Sequence, residues 1–189
     1  MRIFKLLLIS LLAISLLTGF DFRKKKDPVK DRAKIDQMVT EVLSDLYQEI
    51  PSAEYYIDQS IGYAVFSSLG VNVLLLSTAN GKGIAQYKES GKKAYMKIFS
   101  AGVGVGMGVK DFRLVFAFKT LAAMDKFVNE GWTAGTQADA AATYDDEGDA
   151  ASLAIDVSPG VKLFQMTEKG LALQATIQGT KYLKDDDLN

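Results

Sequence analysis

The stretch Ser60-Ile61-Gly62-Tyr63-Ala64-Val65-Phe66 is where the periodicity of this 189-residue chain changes, and its reading decides the fold. Upstream of it, Ile35, Met38, Val39, Val42, Leu43, Leu46, Tyr47 and Ile50 recur at spacings of three and four, the stripe of an amphipathic helix over Asp31 to Glu49. Pro51 ends that helix, and Ser52 caps a shorter one running through Asp58. The stripe is read as facing a core, the more frequent use of such a pattern. Downstream, Ile61 to Phe66, Val71 to Leu76, Gly83 to Tyr87, Lys93 to Phe99 and Arg113 to Phe118 are short β-prone runs separated by Gly, Ser and Asn. Asn80-Gly81 and Ser90-Gly91 tolerate the positive φ of a tight turn, so each is expected to reverse the chain and make the sheet antiparallel. Leu121 to Asn129 carries Leu121, Met124, Phe127 and Val128 at helical spacing, with Thr120 as cap and Gly131 as stop. Further strands at Thr133 to Thr143, Leu153 to Asp156, Val161 to Gln165 and Leu171 to Gln178 suffice to curl the sheet. The expected fold class is α+β: N-terminal amphipathic helices followed by a strongly curved, barrel-like antiparallel sheet with one interrupting helix.

Composition narrows function by subtraction. A formal net charge of -1 excludes a globally basic nucleic-acid binder, so attraction to an anionic partner must come from a local patch. The chain has no Cys and no His, which removes disulfides, thiolate nucleophiles, Cys-ligated zinc and the commonest general base. The expectation is a protein that is not an enzyme, with no cofactor and no metal.

Met1 to Phe20 has the layout of an export signal, with Arg2 and Lys5 ahead of an apolar run from Leu6 to Leu17. Those twelve residues would span about 18 Å as a helix against a bilayer core of about 30 Å, which favours a signal peptide over a membrane span. Leu16-Leu17-Thr18-Gly19 resembles a lipoprotein signal, but Phe20 stands where the lipidated Cys would be. Cleavage after Gly19 or retention as a short anchor both stay open. The expected location is periplasmic or membrane-associated.

Residues 21–34 read as a basic linker. Within residues 23–34, Arg23, Lys24, Lys25, Lys26, Lys30, Arg32 and Lys34 face only Asp27 and Asp31, a local excess of about +5 in a protein of net charge -1. Beside an anionic bilayer each such cation contributes about 1 kcal/mol, so these seven are the candidate lipid-binding residues, with Phe20 and Phe22 as shallow apolar anchors. The plainer reading is a solvated linker.

Three other features carry less. Gly102, Gly104, Gly106 and Gly108 alternate strictly, which fits one stripped strand face better than a phosphate loop of the G-x-G-x-x-G kind. Asp145, Asp146, Glu147 and Asp149 surround Gly148 without the spacing of a calcium loop and read as a surface loop. Asp185-Asp186-Asp187 reads as part of a solvated acidic tail over 185–189. Trp132, the single tryptophan, is expected to anchor the core.

The order of these features resembles the SYLF lipid-binding domain over roughly residues 35–184. The matching pieces are Ile61-Gly62-Tyr63-Ala64-Val65-Phe66, Gly81-Lys82-Gly83 as a G-x-G turn, the alternating glycines, Phe127 with Gly131-Trp132 and Gly135, and Gly170-Leu171 with Gln178-Gly179-Thr180. The departure is Ser67-Ser68-Leu69-Gly70-Val71-Asn72-Val73, poorer in glycine than the family's corresponding stretch, so the local turn or bulge is expected to differ. The resemblance implies non-catalytic binding of an anionic phospholipid membrane through the N-terminal helical segment and its basic residues. The rival expectation is an envelope structural or assembly protein that binds a protein partner through a sheet edge or the glycine-rich strand.

Overall fold

A computed structural model describes residues 27–73, 76–103, 108–133, 154–167 and 180–189. Helix α1 runs Pro28–Glu49, three residues earlier than its apolar stripe predicts. The early start has a local cause: Asp27 caps the helix, its Oδ1 accepting from the Lys30 amide at 3.3 Å, and Pro28 supplies a preset φ where no donor is needed. Helix α2 runs Pro51–Gln59. Pro51 therefore opens the second helix as well as closing the first. Ser52 is no cap, since Ile50 occupies the cap position and makes no side-chain bond there.

The strands are β1 (Gly62–Val73), β2 (Leu76–Tyr87), β3 (Lys93–Val103), β4 (Gly108–Phe118), β5 (Trp132–Thr133), β6 (Ala154–Ser158), β7 (Val161–Thr167) and β8 (Thr180–Lys184), with helix α3 (Leu121–Asn129) between β4 and β5. They form one antiparallel sheet in the order β5-β8-β3-β2-β1-β4-β7-β6. The fold is α+β, a curled half-barrel with helices at its N-terminus and one helix interrupting the sheet.

Four local expectations are corrected. Asn80-Gly81 is not a turn: both residues lie inside β2, opposite Leu69 and Ser68. The chain reverses instead between the paired residues Val73 and Leu76, so Val71 to Leu76 is the end of one strand and the start of the next. Glycine is needed at 81 and 83 for space. A Cβ at Gly81 would lie 2.4 Å from the Ser67 carbonyl oxygen, and one at Gly83 would lie 2.4 Å from Phe66 Cδ1. The segment Ser67–Val73 continues β1 in unbroken register with β2. The alternating glycines do not belong to one strand either: Gly102 lies on β3 opposite Ser77, while Gly108 opens β4 opposite Asn72. Gly104 and Gly106 lie outside the described residues, as do the strands expected over 134–143 and 171–178. The reversal at Ser90-Gly91 is found as expected, with Gly91 at φ 66°.

Side chains alternate between two cores. From β1, Ala64 and Phe66 join Phe116, Phe118, Leu163, Tyr182 and the inner side of α3 (Met124, Phe127, Val128). Val65 points the other way, into a layer with Ile84, Val115, Phe164 and the α1 and α2 stripe of Ile35, Val39, Val42, Leu46, Ala53 and Ile57. The stripe is thus core-facing. Residues 185–189 are not a solvated tail, because Leu188 belongs to this second core and the Asp185 amide donates to the Tyr95 carbonyl. Asp186 and Asp187 remain exposed.

Candidate functional site

Of the seven candidate cations, Arg23, Lys24, Lys25 and Lys26 lie outside the described residues. Lys30, Arg32 and Lys34 occupy the first two turns of α1, where the 3.6-residue period sets Lys30 and Lys34 on one side and Arg32 on another. Lys30 and Lys34 are exposed, and Lys30 pairs with Asp27 at 3.6 Å. Arg32 turns inward. Its Nε donates to the Leu188 carbonyl at 2.8 Å and its guanidinium lies 5.6 Å from the Tyr95 ring centroid, so it ties α1 to the C-terminus.

Three of the five carboxylates of α1 are drawn to the sheet, while Glu41 and Glu49 stay exposed. Asp31 pairs with Lys82 at 3.1 Å, Asp36 with Lys93 at 3.0 Å, and Asp45 with Arg113. Asp36 also accepts from the Tyr95 hydroxyl; burial first, and this carboxylate second, raise that phenol above its ordinary range. The sheet-facing flank of α1 is therefore charge-balanced, while Lys30 and Lys34 project outward directly after the basic run 23–26. No helix among the described residues is long and apolar enough to cross a membrane.

Asp145, Asp146, Glu147 and Asp149 lie outside the described residues, and among the described residues no group of three carboxylates is placed to hold a metal. Trp132 packs against the first core, 5.5 Å from Phe116 and 5.4 Å from Tyr182 between ring centroids, but it is only half-buried. Beside it opens a cavity of about 350 Å³ whose wall includes Phe116, Phe118, Phe127, Val161 and Lys126. Residue patterns did not reveal it. The alternation of Leu114, Phe116 and Phe118 marks a core face of β4, yet a gap between that face and α3 depends on how helix and sheet meet.

The arrangement defines a two-helix layer packed on a half-barrel, with a basic segment leading into the first helix. No family model matches the chain. Beta cell expansion factor A of Aeromonas veronii is 38% identical to it over 157 residues, which cover 83% of this chain and 58% of that protein. The chain is a homologue of that protein and spans little more than half its length.

Proposed function

We propose that this chain is an exported module of the SYLF type that binds anionic phospholipid surfaces in the cell envelope and catalyses no reaction. The observation that carries this reading is the placement of Lys30 and Lys34, outward on the first turns of α1, while Asp31, Asp36 and Asp45 are held against sheet cations. The seven cations of residues 23–34 then act as a diffuse electrostatic contact, strongest within a Debye length of the bilayer. Arg32 contributes less than the others, because it is engaged with Leu188 and Tyr95. The export signal and the similarity of the matching segments to the SYLF domain support the same reading. Sedimentation with vesicles of phosphatidylglycerol and phosphatidylcholine tests it: binding should fall as salt rises, and equal sedimentation with pure phosphatidylcholine would count against it.

The rival is a protein partner held at a sheet edge. What favours it is that β6 has a neighbour on only one side among the described residues. A stoichiometric complex that forms without lipid and ignores salt would select this reading.

A further inference from the structure

The cavity beside Trp132 is graded from inside to outside. Phe116, Phe118 and Val161 at its floor are at most 5% exposed, Trp132 and Ala123 on its walls are half-buried, and Lys126 at its edge is exposed. At about 350 Å³ it falls at the lower end of the roughly 300–1,000 Å³ typical of small-ligand sites. A lysine that both borders a cavity and reaches solvent lays its stem along the wall and keeps its ammonium in water. Among the described residues no carboxylate lines this cavity or pairs with Lys126.

We propose that this cavity binds the chain of a single-tailed anionic amphiphile, a medium-length fatty carboxylate, with Lys126 taking the head group. Phe116, Phe118, Phe127 and Val161 take up methylenes from water, and Ser158 is the one hydroxyl side chain among the described lining residues, too few polar groups to favour a polar tail. Aromatic rings alone would also attract a quaternary ammonium through their faces, but the unpaired lysine at the mouth opposes a cation and selects an anion. The volume suits a tail of roughly ten carbons at the close packing of a protein interior. None of the described residues lining this cavity belongs to residues 23–34, so the proposal stands apart from the membrane-surface reading.

Trp132 is the only tryptophan of the chain and borders the cavity, so it reports occupancy directly. The full chain is titrated with 10-bromodecanoate below its micelle-forming concentration and without vesicles, while quenching of Trp132 emission is read. Quenching should saturate, unlabelled decanoate should reverse it, and decyltrimethylammonium should not. Lys126→Glu, at an exposed helical position, should weaken binding at least tenfold, and Ala123→Leu should block it by filling the wall. Quenching that rises linearly without saturation, or that is equal in Lys126→Glu, or that the cationic tail reverses as well as decanoate does, would overturn the proposal. Vesicle sedimentation of the wild-type chain separates the two readings. Sedimentation without saturable quenching removes the cavity site, whereas saturable quenching without sedimentation leaves it standing and removes the membrane contact.

Discussion

Tyr182 sets one of the polar problems at the scale of single residues, beside Gln165, whose buried side-chain amide is also without a partner among the described residues. The Tyr182 ring is wedged among Phe66, Phe116, Phe127 and Trp132 at centroid distances of 5.1 to 5.7 Å, and its buried hydroxyl has no hydrogen-bond partner among the described residues. Burial holds this phenol far above its ordinary range. Removing a buried, unpartnered hydroxyl while keeping the ring relieves a desolvation cost of about 1–3 kcal/mol. Tyr182→Phe should therefore raise the urea midpoint or leave it unchanged; a loss of more than about 1 kcal/mol would mean that the hydroxyl is satisfied in solution. Tyr87 behaves differently. Burial, and then a 2.7 Å hydrogen bond to Asp125, push its phenol from 10.0 up to about 12. The folded state keeps that proton at pH values where the unfolded chain releases it, so the stability this group contributes is full below pH 10 and is lost as pH rises towards about 12. Thermal melts across this window should show a shallower decline for Tyr87→Phe than for wild type, and an identical decline would remove the linkage. At this scale the sequence was legible for composition and less so for burial. Trp132 sits on the rim of the core, because Gly131, at φ 75° and with the Tyr182 carbonyl 2.7 Å from where its Cβ would be, brings the chain in at the edge of the sheet.

Helix α1 and the C-terminal turn hold each other in place. Arg32 donates to the Leu188 carbonyl, and the Asn189 side chain both accepts from the Tyr95 amide and donates to the Tyr95 carbonyl at 3.0 and 2.8 Å. Leu188 is 3% exposed within the same core layer as Ile35 and Val39. Leu188→Ala should cost about 2–4 kcal/mol and speed amide exchange in the first turns of α1, as read by mass spectrometry. An unchanged melting temperature would return residues 185–189 to the status of a tail. This packing was hidden in the sequence because three consecutive aspartates dominate the reading of the segment, while one leucine carries its burial. The same ambiguity explains Asn80-Gly81: a glycine required for positive φ and one required for close approach of a neighbouring strand look alike in sequence, and only the register distinguishes them. The first helix was legible because a period of three and four sustained from Ile35 to Ile50 has few other physical readings.

On the scale of the whole molecule, a near-neutral chain concentrates positive charge ahead of its first helix and engages Asp31, Asp36 and Asp45 of that helix with the sheet. This separation is the basis of the proposed membrane contact. It also predicts that the contact and the fold can be uncoupled, since Lys24, Lys25 and Lys26 precede the first residue of α1. The direct test is co-sedimentation of a Lys24→Glu, Lys25→Glu, Lys26→Glu triple variant with phosphatidylglycerol vesicles at low salt, alongside its thermal melt. The account predicts wild-type melting and loss of sedimentation; full sedimentation of a folded triple variant would contradict it.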